Sequence, residues 1–217
     1  MKVTVFGAHG RTGRHVTTQL LAAGHPVRAV VRSAAQVPVV TGWGARGVAV
    51  DLLRASTQDL RAVVAGAEAV VYTAGSAYGA SAEEVDRLDG SAIIDAVEAA
   101  VSEGVGRFVV VSAHRTDEDF GPPSVVRLLR AKRAADAHLR STTLGWTILR
   151  PDALNEEPAT GTVRLDERVP HGALSRADLA AVIVTALAGP GWARTQFEVT
   201  GGDVPIASVL RASHPAG

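Results

Sequence analysis

The chain has 217 residues, 47% of them hydrophobic, with 22 Lys and Arg balanced by 22 Asp and Glu. Zero net charge argues against nucleic acid or an anionic membrane surface as a partner, and the lack of any cysteine excludes disulfides, thiolate nucleophiles and cysteine-ligated metals. This size suits one α/β domain over residues 1–217, with 151–217 contributing the substrate side. No charged-then-apolar leader precedes the first strand and no apolar run reaches spanning length, so a cytoplasmic protein is expected.

Residues 2–6 read as a short buried strand. Gly7, Gly10 and Gly13 follow at the spacing G-x-x-G-x-x-G, and from Arg11 the apolar positions Val16, Leu20 and Leu21 turn helical. A dinucleotide pyrophosphate needs this strand, glycine turn and helix. Gly7 permits a sharp turn, Gly10 lets the backbone approach the phosphates, and Gly13 lets helix pack on strand. The helix N-terminus then offers free N–H groups and a positive dipole end. His9, Arg11 and Thr12 lie in the same turn and join the cofactor set.

A second strand covers 26–31, a short helix 34–40 ends at the Gly42-Trp43-Gly44 turn, and a third strand covers 47–51. A helix over 56–64 opens with Ser56 and Asp59 in a capping-box pattern. The fourth strand is 68–73; a glycine- and serine-rich loop, 74–81, leads into one long amphipathic helix through Val101. The fifth strand is 107–112, then come an irregular polar segment to 123, a helix over 124–140 and a sixth strand, 146–149, closed by Arg150-Pro151. Beyond it lie a loop over 155–160, a short strand at 161–166, a helix capped by Ser175 and ending at Leu187, a strand at 196–200 and a short helix from Pro205. The alternation predicts a Rossmann-type, doubly wound parallel sheet with ligands at the carboxyl ends of its strands.

An NAD site places an acidic residue at the end of the second strand for the ribose hydroxyls. Here that stretch has Arg28 and Arg32 and no Asp or Glu. Arg32, just past the strand end, suits a 2′-phosphate, so NADPH is expected over NADH. Asp51 and Leu52 are candidate adenine contacts, with Asp51 equally readable as a turn residue. Thr73, Ala74 and Gly75 end the fourth strand with small side chains, leaving room for the cofactor.

With residues 7–13, 27–32, 107–112, Ala131-Lys132, 146–151, 175–178 and 200–203 together, the chain resembles the atypical short-chain dehydrogenase/reductase group, NAD(P)H-binding proteins similar to flavin reductase/biliverdin reductase B and to NmrA-like regulators. The resemblance spans nearly the whole chain and implies fold and cofactor class. It implies that Ser112 positions an acceptor oxygen and Lys132 holds the nicotinamide ribose. The phenol of the family's Tyr-x-x-x-Lys is replaced by Leu128, which cannot donate a proton.

A ketone accepting hydride builds a localised alkoxide that demands an acid. A quinone or flavin spreads the charge, so such a small aromatic acceptor is favoured. His114 is a candidate proton donor. Tyr78 is a candidate to cover the nicotinamide or supply a displaced phenol, and equally readable as an exposed loop aromatic, while Asn155 and His171 are candidates to line the substrate pocket. The scattered histidines show no local ligand spacing, and no metal is expected. A non-catalytic NADP(H) sensor and an isomerase or epimerase that retains its cofactor remain open readings, as do monomer and homodimer.

Overall fold

The computed structural model describes residues 1–209. Strand β1 (Val3–Phe6) is wholly buried inside the sheet, parallel to β2 (Val27–Val31) on one side and β4 (Ala69–Tyr72) on the other. β3 (Arg46–Ala49) flanks β2, while β5 (Arg107–Val111) and then β6 (Gly145–Pro151) continue beyond β4. The order 3-2-1-4-5-6 is the Rossmann order expected from the sequence, with its reversal between β1 and β4.

The sheet does not stop there. β10 (Thr195–Gly201) runs parallel to β6, but β8 (Thr162–Asp166) pairs antiparallel with β10 and β11 (Val204–Pro205) antiparallel with β8. The expected parallel sheet is therefore mostly parallel, with nine strands among the described residues and a mixed edge. Gly202 permits this edge, because a Cβ there would come within 2.6 Å of the Val163 carbonyl carbon where the chain crosses β8. A separate parallel ribbon pairs β7 (Ala153–Asn155) with β9 (Ala173–Ser175).

Helices α1 (Arg11–Ala22), α2 (Val37–Gly42) and α7 (Arg176–Ala188) cover one face, where Val16, Leu20, Val40 and Ile183 share a buried apolar layer with Val5, Ala29 and Val109. α3 (Thr57–Val64), α5 (Ala92–Ser102) and α6 (Pro123–Arg140) cover the other, burying Leu60, Ile93 and Leu139 against β4 and β5. Ser56 and Asp59 form the expected capping box at the start of α3. Arg28 serves structure: Nη1 donates to the Val63 and Ala65 carbonyls at the end of α3, at 2.6 and 3.0 Å.

The long helix expected before Val101 is divided. α4 (Ala82–Asp86) passes through a π-helical turn (Arg87–Ser91) before α5 begins. The wider turn buries Asp89 in the apolar layer, which a continuous α-helical pattern does not anticipate. β3 begins and ends earlier than expected, although the Val50 N–H still bonds the Val31 carbonyl at 2.8 Å. The helix expected from Pro205 shows a 3-10 turn, Ile206–Ser208, and residues 210–217 lie outside the described part. Among the described residues no helix is long and apolar enough to cross a membrane.

Candidate nucleotide site and its polar surroundings

The turn between β1 and α1 is built around close approach. Gly7 adopts φ +75°, and a Cβ on it would lie 2.7 Å from the Ala74 nitrogen; a Cβ on Gly13 would collide with the Gly7 carbonyl oxygen. Gly10 is the N-cap of α1 and supplies no side-chain cap, and the first turn carries no acid. The opening N–H groups of a twelve-residue helix are thus left for an anion.

A cleft of 460 Å³ opens over this turn. Gly7, His9, Gly10, Arg11, Thr12, Arg32, Asp51, Leu52, Thr73, Ala74 and Gly75 all line it, bringing nearly the whole expected cofactor set to one place. Gly13 lies behind them, buried in α1. Arg32 is exposed at the mouth, with Nε 3.9 Å from Asp51. His9 stacks at 6.3 Å on Trp43, and its Nδ1 is 3.0 Å from Gln36 Nε2.

Sequence reasoning missed Gln36, Ser76, Leu154 and Arg176, which line the same cleft. Arg176 opens α7, nearly buried, and Nη1 donates to Glu156 at 3.0 Å; Arg14 holds the other Glu156 oxygen at 2.8 Å. Burial, then the nearby Arg11, lowers the Arg176 guanidinium pKa, so two cations converge beside the uncapped helix. Its placement depends on the chain returning from α7 to α1, and no local pattern in the sequence announces it.

Ser112 and Lys132 do not line the cleft; both are committed to buried carboxylates. Ser112 Oγ donates to Asp136 Oδ2 at 2.9 Å, and Arg150 donates to the same oxygen from Nε at 3.2 Å and Nη2 at 3.0 Å. Burial raises the Asp136 carboxyl pKa against the opposing pull of Arg150 and Ser112. Lys132 Nζ lies 3.0 Å from Asp89 Oδ1 and donates to the Val111 carbonyl at 3.2 Å. Asp89 Oδ2 in turn accepts from the Ser76 N–H at 3.0 Å, and a Cβ on Gly75 would meet Asp89 Oδ1 at 2.9 Å. Lys132 therefore reaches the cleft wall through Asp89, which holds the loop after β4. A signal for Asp136 was present: it stands one helical turn beyond Lys132, on the same face of α6 as buried Leu129 and Leu139.

Leu128 is half-buried on α6. The chain's two tyrosines, Tyr72 and Tyr78, are both placed elsewhere. Tyr72 is buried and donates to the Leu88 carbonyl at 3.1 Å, burial raising its pKa far above the ordinary phenol range. Tyr78 is fully exposed. His114 is buried beyond the end of β5, with Nε2 3.1 Å from both Glu198 Oε2 and the Val169 carbonyl. His171 Nδ1 lies 2.9 Å from Asp152 Oδ2, and the two histidine rings stand edge to face at 4.6 Å. Asn155 is half-buried at the end of β7. His114 follows β5 and Asp152 follows β6, and none of these side chains lines the nucleotide cleft.

The Rossmann strand order, the glycine cradle and the uncapped α1 define a dinucleotide-binding protein. A family model described as NAD(P)H-binding matches residues 7–190, and the chain belongs to that family. It is 32% identical over 213 residues, 97% of this chain and 99% of the relative, to a Bacillus subtilis protein named as an uncharacterized sugar epimerase. A Bacillus halodurans structure provisionally described as an NAD-dependent epimerase/dehydratase has a TM-score of 0.91 and 32% identity, covering 98% of this chain and 99% of that one. Anaerobillin reductase ChuY of Escherichia coli O157:H7 shares the fold at a TM-score of 0.80 and 23% identity, covering 94% and 98% of the two chains.

Proposed function

We propose that the chain is an NADPH-dependent reductase that passes hydride to a conjugated aromatic acceptor of the quinone or flavin type. The observation that carries this reading is the fate of the phenols: Leu128 stands in the proton-donor position, Tyr72 is spent in the core and Tyr78 points into solvent. Without a positioned acid, a localised alkoxide is poorly served, whereas a conjugated ring disperses the incoming charge and takes its proton from solvent.

The family's cofactor fits the residues present. The α1 N-terminus and the glycine turn would hold the pyrophosphate with Arg11 and Arg176 beside it, Asp51 and Leu52 would flank the adenine, and Arg32 would pair with a 2′-phosphate. The bound nicotinamide supplies the hydride. Asp89 fixes Lys132 and the Ser76 backbone together, shaping the wall of the cleft.

The test is NADPH oxidation by a panel of quinones, flavins and simple ketones, with NADH in parallel and retained nucleotide measured first. Turnover with quinone or flavin and little with ketone is expected. Arg32→Ala should weaken NADPH binding roughly ten- to a hundredfold and leave NADH nearly unchanged. Arg176→Ala should weaken both nucleotides alike. Equal losses of NADPH and NADH in the Arg32 variant would remove the 2′-phosphate assignment. The names of the Bacillus relatives favour a second reading, an epimerase that keeps its nucleotide. That reading requires tightly retained cofactor and no net NADPH consumption. Exchangeable NADPH binding without turnover on any acceptor would mark a sensor.

A further inference from the structure

We infer that His114, Asp152 and His171 form a site for a divalent transition-metal cation, with Zn²⁺ the best match. The sequence reading expected no metal, because these residues have no local ligand spacing. The fold brings them together: one ligand atom from each lies within 4.8 Å of the others.

The decisive group is His114. Its side chain is buried, and Nε2 faces two acceptors, the Glu198 carboxylate and the Val169 carbonyl. The proton therefore belongs on Nε2, which leaves a lone pair on Nδ1. That buried Nδ1 has no hydrogen-bond partner among the described residues. An unpaired buried polar atom is costly, and a ligand would offset that cost. A buried carboxylate on the far nitrogen is the arrangement that fixes the tautomer and raises the basicity of a metal-binding imidazole. Asp152 is steadied in the same manner. The Gly172 N–H donates to Asp152 Oδ2 at 2.9 Å, and His171 Nδ1 lies 2.9 Å from the same oxygen.

Two imidazoles and one carboxylate suit Zn²⁺, and leave a fourth tetrahedral position open. Mg²⁺ and Ca²⁺ prefer all-oxygen sets. Bonds of about 2.0–2.2 Å require the ligand atoms to close up from their present spacing. His171 is the ligand free to do so, since its side chain is 69% exposed. Binding would replace its proton toward Asp152 with the cation. The site stands at the carboxyl ends of β5 and β6, and Leu154, two residues past Asp152, already lines the nucleotide cleft.

The test uses the full chain, stripped with a chelator and confirmed as folded by its NADPH binding. Titration with Zn²⁺ by calorimetry should show one equivalent bound, and Co²⁺ should give visible d–d bands that Zn²⁺ removes. His171→Ala and Asp152→Asn should each weaken Zn²⁺ binding at least tenfold while NADPH binding is kept. Glu198→Gln should weaken it by roughly ten- to a hundredfold through His114. The inference is overturned if no saturable one-to-one binding occurs, or if the His171 and Asp152 variants bind Zn²⁺ as the parent does.

Discussion

A methyl group at Gly13 has nowhere to go, because Gly7 O and the Ala8 backbone already fill its space. The helix would have to lift from the strand, moving the N–H groups that face the cleft. Gly13→Ala should therefore cost about 1–3 kcal/mol of stability by overpacking, and reduce NADPH affinity at least tenfold. Urea unfolding and fluorescence titration read the two effects separately; a variant with parental values on both would refute the packing role. The buried carboxylates make a second residue-scale case. Asp89→Leu strands the Lys132 ammonium in the interior, at a cost of about 3–5 kcal/mol, whereas Asp89→Asn keeps an acceptor for the Ser76 N–H and should lose less. The glycine turn was legible in the sequence because its demands are local: each glycine answers to atoms a few residues away, or to the strand beside it. Asp89 was not legible. A lone acid in an amphipathic helix reads as solvated until a π-turn buries it beneath a lysine of another helix. The same holds for His114, Asp152 and His171, which meet only through tertiary structure.

At the scale of elements, the sequence placed the six Rossmann strands within a residue or two, because apolar runs bounded by glycine and polar turns are local signals. It was silent on what ties the segment between β5 and α6 in place. Hydrogen bonds from Arg168 and Arg115 hold Glu118 below the usual carboxylate range, and bonds from Arg130 and Arg133 do the same for Asp119. The arginines of α6 are engaged in the same way: Arg130 and Arg133 hold Asp119, and Arg127 holds Asp86. A carboxyl whose folded pKa lies below its unfolded value contributes stability above the unfolded pKa of about 4, and loses it as pH falls through the folded value. Acid should thus loosen this segment first. Asp119→Asn, which cannot titrate, should flatten the fall of melting temperature below about pH 4. An unchanged slope would mean the ion pairs contribute nothing, as many exposed pairs do.

For the whole molecule, the question is whether residues after 151 behave as a separate body. Their strands continue the sheet through β6–β10 pairing, and α7 lies against α1, so the two halves share one apolar layer containing Val16, Leu20, Leu179 and Ile183. Arg176 of the second half also lines the cleft formed by the first, and Arg14 and Arg176 grip the same Glu156. Unfolding either half alone would expose the shared layer and break that clasp. A single cooperative transition is therefore expected from calorimetry, with calorimetric and van't Hoff enthalpies equal. Nucleotide binding should move that whole transition, by about 2.7 kcal/mol at a hundredfold excess over Kd, and NADPH should move it further than NADH at equal concentration. Two transitions, with only the earlier or later one responding to NADPH, would instead divide the chain near residue 151 and confine the nucleotide to one part. The shared Glu156 gives an independent handle: Glu156→Gln should weaken coupling between the halves without emptying the cleft of its cations. It should lower the melting temperature of the free protein more than that of the NADPH-saturated protein, because the phosphates then take over the neutralisation of Arg176.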